Sequence, residues 1–312
     1  MPRLFIHAGP SKTGSTTLQS ALIDPRADLG GWIYPDIGRT RGDSGQHNVF
    51  YEAARPRRHQ PHVSGTAAFV ALLDQGRDII LSSEDTPLWP AGLKAVIAPA
   101  LERGYAVDVL VFVRDPVERL NSIYTQQIKT LAINEDFATF LERLPDSPVM
   151  HPFTRAAANI ERAGARPILM PFLPGAMDRI YARLQQILGV SLPLDAGEVR
   201  NPSPSYYEIA LYRALGDSLR GVNYWSAVKR GAERFGDGRK FFGFDDALFE
   251  KVKAAYAEEY SARNCAMLDC LGAEFHAALF ATERRFDPRI DPERLAAYVE
   301  YVRAELGLDA RA

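Results

Sequence analysis

The sequence has few cysteines, little net charge and no long apolar run. Two of its 312 residues are cysteine, which excludes a disulfide scaffold and leaves too few thiolates for a zinc site. Lys and Arg number 37 and Asp and Glu 39, a formal net charge of −2 that argues against broad nucleic-acid binding. No stretch approaches the roughly 18 apolar residues of a membrane span, and no signal-peptide pattern is present. We therefore expect a cytoplasmic protein with no transmembrane segment.

Short apolar runs alternate with longer amphipathic segments in the first part of the chain. Strands separated by helices of this length predict βαβ units and a parallel sheet flanked by helices, which is an α/β fold. From about Ser205 the pattern is helical only, and Asp245–Leu271 predicts a long amphipathic helical segment. We expect a single domain over 1–312, with an α/β core at 1–200 and a helical C-terminal extension at 201–312. The predicted strands are Leu4–Ile6, Asp78–Ser82, Val107–Val113 and Pro167–Met170; the predicted helices are Ser15–Ile23, Thr66–Gln75, Pro90–Arg103, Pro116–Lys129 and Ala176–Leu188.

A long polar segment, Pro35–Gly65, separates the first helix from the next. It is rich in glycine, proline and arginine and holds His47, His59 and His62, half of the 6 histidines. Connections of this length inside a compact domain are usually functional. The segment is either a solvated surface loop or a lid that binds an acceptor.

The most informative stretch is the glycine-rich loop between the first strand and the first helix. Gly9 and Gly14 bracket four residues, as in the P-loop of nucleoside-triphosphate enzymes. Ser15 stands where that P-loop has lysine, and the lysine comes earlier, as Lys12. A strand–glycine loop–helix is a place where backbone amides and the helix dipole bind anions, although glycines also serve a simple turn. The loop hydroxyls are those of Ser11, Thr13, Ser15, Thr16 and Thr17.

A second motif, Arg114-Asp115-Pro116, ends the third strand and opens a helix. Arg114 lies at the carboxyl end of a strand, where open α/β sheets bind their ligands. Ser122 follows eight residues later, about two helical turns on, and could share a phosphate with Arg114. On its own the motif is equally compatible with an aspartate cap and a surface ion pair.

Together the two motifs resemble those of sulfotransferases. The stretch Pro10-Ser11-Lys12-Thr13-Gly14-Ser15-Thr16-Thr17 resembles that family's 5′-phosphosulfate loop, with Ser11 as an insertion after the proline. The spacing of Arg114 and Ser122 is similar to the family's site for the donor's 3′-phosphate. The resemblance implies a P-loop-like fold and the donor 3′-phosphoadenosine 5′-phosphosulfate (PAPS), with 3′,5′-diphosphoadenosine as product and no metal. It also suggests Arg200, Asn201 and Ser203 as donor contacts, although Ser203 or Ser205 could simply cap a helix.

Sulfuryl transfer between oxygens resembles phosphoryl transfer, so positioning and charge stabilisation carry the rate. Lys12 is expected to offset charge on the leaving group. The acceptor's proton requires a general base, and the candidates are Glu84, after the second strand, and His47; the sequence does not choose between them. The acceptor is a small molecule, carbohydrate or lipid, and oligomers are compatible with the sequence.

Two other function classes stay open. A small-molecule kinase on a P-loop would need Mg²⁺, for which Asp85 is a candidate ligand, but Ser15 in place of lysine counts against it. A non-catalytic nucleotide-binding protein would keep Lys12, Arg114 and Ser122 without turnover.

Overall fold

The computed structural model describes residues 1–39, 44–54, 65–84, 90–143, 152–194, 203–281 and 285–308. The chain divides into two compact units. Unit 1 comprises Met1–Asp115, Ser147–Glu198 and Tyr256–Leu279, and unit 2 comprises Pro116–Asp146, Val199–Ala255 and Phe280–Ala312. The single domain expected over 1–312 stays a prediction.

Unit 1 is built on a parallel sheet, which confirms the predicted fold class. Its strands are β1 (Arg3–His7), β2 (Ile79–Ser82), β3 (Ala106–Arg114) and β4 (Arg166–Phe172), in the order β2-β1-β3-β4. All pairs are parallel. The chain leaves β1 toward β2 on one side and returns to β3 on the other. The carboxyl ends of β1 and β3 therefore flank a topological switch point, where such sheets bind ligands.

Fourteen helices surround or follow the sheet within the described ranges. The predicted helix Pro116–Lys129 is observed with those bounds, and the other predicted helices agree to within a few residues. The helices are α1 (Ser15–Leu22), α2 (His47–Ala54), α3 (Thr66–Leu73), α4 (Pro90–Glu102), α5 (Pro116–Lys129), α6 (Phe137–Glu142), α7 (Phe153–Arg162), α8 (Met177–Leu188), α9 (Tyr206–Leu215), α10 (Trp225–Phe235), α11 (Asp246–Tyr256), α12 (Ala262–Cys265), α13 (Gly272–Ala278) and α14 (Pro292–Leu306).

Both faces of the sheet are buried, which explains the continuous apolar runs in its strands. Side chains alternate between faces along a strand. Leu4 and Ile6 of β1 pack with α2, α4 and α7 on one face, and Phe5 packs with α1 and α8 on the other. By this alternation His7 lies on the same face as Phe5, toward α1.

Two sequence expectations need correction. The segment Asp245–Leu271 is not one helix: α11 ends at Tyr256, and α12 begins only after Ser261, whose side chain accepts from the Asn264 amide as a helix cap. The local cap and the change from unit 2 to unit 1 interrupt the helical pattern. Pro35–Gly65 is not wholly a loop, because α2 lies within it; its residues 40–43 and 55–64 lie outside the described residues.

No helix in the described part of the chain is long and apolar enough to cross a membrane.

Candidate functional site

Neighbouring strands of unit 1 end in the predicted site residues. In the order β2-β1-β3, Glu84 follows β2, the glycine-rich loop follows β1, and Arg114 is the last residue of β3. Because the strands are parallel, their carboxyl ends meet at one edge of the sheet. The structure therefore places Lys12, Glu84 and Arg114 at the same edge, while their roles stay predictions.

The loop from β1 to α1 has a left-handed backbone at several positions. The φ angles of Gly9, Lys12 and Gly14 are 83°, 69° and 81°. For a lysine this conformation costs about 1–2 kcal/mol, and such strain is typical of functional loops. A Cβ on Gly14 would lie 3.0 Å from Cε2 of Phe172, so the position also needs glycine for space. The loop is a fixed turn with its lysine at a strained position.

Arg114 joins the end of β3 to this loop. Its Nη1 donates to the Lys12 carbonyl oxygen at 2.5 Å, and its guanidinium carbon lies 5.1 Å from the centroid of the Phe172 ring. The hydroxyl of Tyr260 donates to the Arg114 carbonyl at 2.9 Å. The guanidinium is thus held by a hydrogen bond and by stacking, and a planar guanidinium is a group type that suits phosphate.

The hydroxyl groups of the loop differ in their surroundings. Thr13 is buried and donates to the Pro10 carbonyl at 2.5 Å, so it braces the loop. Ser15 is also buried, and its Oγ has no hydrogen-bond partner among the described residues. Thr16 is exposed and Thr17 half-buried. Gly14 caps α1 without any side-chain hydrogen bond, so the first turn lacks a side-chain acceptor.

A buried polar cluster lies where β1 and β2 end. Gln19 Nε2 donates to Ser82 Oγ at 3.0 Å, and His7 Nδ1 lies 2.7 Å from the same oxygen. The side-chain Oε1 of Gln46 accepts from the Ser82 backbone amide at 2.8 Å. The backbone amide of Gln46 donates to the Ser82 carbonyl at 2.7 Å. Since Ser82 Oγ accepts from Gln19, its proton is available to His7 Nδ1, which favours the Nε2–H tautomer of His7. That Nε2 is buried without a partner in the described part of the chain.

His47 is the first residue of α2 and lies beside the end of β2. Its Nδ1 is 3.0 Å from Ser83 Oγ, which in turn donates to the Glu84 carbonyl at 3.3 Å. Ser83 thus links the His47 ring to the backbone of Glu84, and not to its carboxylate. Both side chains are half-buried.

The remaining predicted site residues lie elsewhere in the chain. Ser122 is half-buried in α5 of unit 2, and Ser203, also in unit 2, is half-buried. Ser205 rather than Ser203 caps α9, in a capping box with Glu208. Arg200, Asn201 and Asp85 lie outside the described residues. The roles of these residues stay predictions.

Across the described ranges, no three His, Cys, Asp or Glu side chains are grouped to hold a metal ion. The expectation of metal-free chemistry is untested by this and stays a prediction.

Comparison with known proteins supports the fold. No protein-family model and no curated protein matches the sequence. A crystal structure of a sulfotransferase from Alicyclobacillus acidocaldarius is similar over 88% of this chain and 98% of its own, at 15% sequence identity and a TM-score of 0.50. A chain from the PezAT chromosomal toxin–antitoxin system of Streptococcus pneumoniae aligns over 86% of this chain and 88% of its own length, at 14% sequence identity. Its TM-score of 0.34 is too low to support any inference about this fold. The first likeness shows that this chain has a sulfotransferase-like fold.

Sequence reasoning missed the buried polar cluster. His7, Gln19 and Gln46 were not singled out, although His7 and Gln19 are polar residues in or beside an apolar run. Such a residue at a strand end or on a buried helix face is the signal that would have found them, because buried polar groups need partners.

The buried imidazole predicts an acid-sensitive fold. Burial and, to a smaller extent, the neighbouring His47 lower the pKa of His7 from 6.5 to about 3. Because the folded protein holds this imidazole neutral, its lowered pKa contributes stability at pH values above the unfolded-state pKa of about 6.5. That contribution is lost progressively as the pH falls from about 6.5 toward 3. From pH 7 to pH 5 the loss is about 2 kcal/mol, measurable by urea unfolding.

The variant His7→Gln should lose less stability than the wild type between the same two pH values. His276→Gln, at an exposed histidine of α13, is the matched control and should keep the wild-type dependence. An unchanged pH dependence in His7→Gln would contradict the buried neutral imidazole.

Proposed function

We propose that the chain is a sulfotransferase, which moves the sulfuryl group of PAPS to a hydroxyl or amine of an acceptor. The observation that carries this is the contact between Arg114 and the Lys12 carbonyl. It brings the residues of both predicted motifs together at the switch point of the sheet. The sulfotransferase-like fold supports the same reaction class.

The loop fits a phosphosulfate group. The buried Ser15 Oγ lacks a partner among the described residues, and α1 begins at a glycine that makes no side-chain cap. A bound oxyanion would satisfy both the hydroxyl and the amides of the first turn, as at other helix N-termini. Lys12 supplies a positive charge, and Ser11, Thr16 and Thr17 supply further hydroxyls. We assign the 5′-phosphosulfate to these residues.

Arg114 is suited to the donor's 3′-phosphate, because a guanidinium binds phosphate with paired donors and stays charged. Ser122, Arg200, Asn201 and Ser203 stay predictions of donor contacts from the resemblance alone.

In the proposed reaction, the acceptor oxygen or nitrogen forms a bond to sulfur while the bond from sulfur to the 5′-phosphate oxygen breaks. The electron pair of the broken bond stays on 3′,5′-diphosphoadenosine, and the acceptor's proton passes to a base. Lys12 and the loop amides stabilise the charge that grows on the leaving oxygen. This chemistry uses lysine and amides in the place where a kinase uses Mg²⁺.

We take His47 as the first candidate for the base and keep Glu84 as the alternative. Ser83 has one hydroxyl proton, which it donates to the Glu84 carbonyl. With that proton placed on the Glu84 carbonyl, the Ser83 Oγ is an acceptor for His47 Nδ1, and we propose the tautomer of His47 with its proton on Nδ1. The lone pair of that tautomer is on Nε2, the atom a general base would use.

Donor binding tests the assignment of Arg114. Arg114→Ala should weaken binding of 3′,5′-diphosphoadenosine by about 10- to 100-fold, as expected for a lost charged hydrogen bond. Its affinity for adenosine 5′-phosphosulfate, which lacks the 3′-phosphate, should fall less, because that ligand loses only the support that Arg114 gives to the Lys12 loop. Isothermal titration calorimetry measures both.

Arg166→Ala is the matched control for this binding experiment. Arg166 begins β4 at the opposite edge of the sheet, where it pairs with Asp108. It should bind both nucleotides like the wild type. Wild-type affinity that is equal with and without the 3′-phosphate would contradict the assignment, and stabilisation by ATP–Mg²⁺ alone would favour the kinase.

Turnover tests the role of Lys12. Lys12→Ala should lower the rate of transfer from sulfur-labelled PAPS to a panel of phenol, alcohol, sugar and amine acceptors by about 100-fold or more. Binding of 3′,5′-diphosphoadenosine should fall much less, because leaving-group charge is largest in the transition state. Alanine and lysine share the same left-handed backbone cost, so stability is a fair control. Tight donor binding without transfer by the wild type would favour the non-catalytic alternative.

The base is tested by His47→Ala and Glu84→Gln in the same transfer assay. His47→Ala should abolish the acid limb of the rate–pH profile and reduce transfer by about 100-fold or more, while donor affinity is kept. Glu84→Gln should retain most of the activity. The reverse result would assign the base to Glu84.

A further inference from the structure

Unit 2 contains an aromatic cavity whose lining includes none of the residues assigned to donor binding or transfer. It has a volume of about 320 Å³, in the range of small-ligand pockets. We call it the aromatic cavity; its floor is formed by Tyr124, Phe137, Tyr206 and Phe241, and Arg213, Asp136, Asp245 and Phe286 are also in its lining.

The floor is rigid and offers no unused polar group. Tyr124 and Phe241 stack with ring centroids 5.4 Å apart, and Tyr206 lies 5.1 Å from Phe241. The Tyr124 hydroxyl donates to the Glu135 carbonyl at 3.0 Å, and that of Tyr206 donates to the Phe242 carbonyl at 2.7 Å. Because both hydroxyl protons are engaged, these rings offer no O–H donor to a ligand, which favours an apolar buried end, and aromatic walls favour a planar ring.

In contrast to the aromatic floor, the polar part of the lining is charged, since it holds Asp136, Asp245 and Arg213. Asp136 and Asp245 already accept the amides of Thr139 and Leu248, at 2.8 Å each, in the first turns of helices α6 and α11. Hydrogen bonds from Thr139 and, to a smaller extent, the charge of Arg213 lower the pKa of Asp136. The helix dipoles also offset both carboxylates. Arg213 is exposed in the last turn of α9, and no hydrogen bond or ion pair of its side chain occurs among the described residues. Its guanidinium is the group in the lining best placed to accept a new partner.

Phe286 shows that this apolar surface extends to solvent. Its side chain is 44% exposed although it lines the cavity. A ring placed against it would remove both surfaces from water, at roughly 25 cal/mol per Å² of apolar area.

We propose that the aromatic cavity binds a small aromatic acid, with its ring on the floor and its carboxylate or sulfonate on Arg213. The inference goes beyond sulfuryl transfer and does not depend on it. A carboxylate matches the two parallel donors of a guanidinium, which explains why an acid is favoured over a neutral or cationic ring.

Three probes of one shape test this: 2-naphthoate, 2-naphthamide and 2-naphthylmethylammonium, titrated by calorimetry against the full chain. We expect 2-naphthoate to bind at least about tenfold more tightly than the other two. Arg213→Ala should remove that preference and leave the amide's affinity unchanged, whereas Arg213→Lys should retain part of it. Lys229→Ala, at an exposed lysine of α10 outside the cavity, should behave as the wild type.

Ala210→Leu places bulk in the cavity lining and should weaken binding of all three probes at least about tenfold. Circular dichroism at each titration temperature checks that every variant is folded. Equal affinity for acid and amide, tighter binding of the ammonium, or no binding of any probe by the folded wild type would overturn the proposal.

Discussion

The hydrogen bond from Arg114 to the Lys12 carbonyl is the contact on which the candidate site depends. It spans the switch point between β1 and β3 and ties a strained loop to the end of a rigid strand. A lysine with a left-handed backbone is stable only where its surroundings fix it. Phe172 does part of this, because it stacks under the guanidinium and lies against Gly14. The loop geometry that an anion would meet is thus set before any ligand arrives, which lowers the cost of binding.

The buried polar cluster has a matching role at the next strand end. The Ser82 hydroxyl accepts a hydrogen bond from Gln19 of α1 and contacts the ring of His7 at the end of β1. The Ser82 backbone amide donates to the side chain of Gln46, which lies just before α2. These bonds fix α1 and α2 relative to the sheet. Because His7 must stay neutral, the cluster is a source of precise geometry that is sensitive to acid. Buried polar groups with specific partners often define a single arrangement where apolar packing would allow several.

Local features of the sequence predicted most of unit 1. The strands could be read from apolar runs, and Pro116 marked the start of α5. The motif residues could be placed at one sheet edge because parallel strands share their carboxyl edge. Contacts between residues far apart could not be read in this way: the bond of Tyr260 to Arg114, the His7–Ser82 pair and the aromatic cavity all depend on folding. The break after Tyr256 was missed because helical spacing continues across it, while the cap at Ser261 is a single polar residue.

A similar fold at 15% identity leaves the chemistry to be argued from the residues. The whole-chain charge of −2 contributes nothing to that argument, since it averages over ion pairs that cancel at the surface. What matters is where each cation lies in the fold. Lys12 and Arg114 lie beside a glycine loop and an aromatic ring, and Arg213 lies beside carboxylates already engaged in capping helices. Arg114 lies over the Phe172 ring, and Arg213 shares the lining of its cavity with aromatic rings, so in both units a planar guanidinium occurs together with a ring.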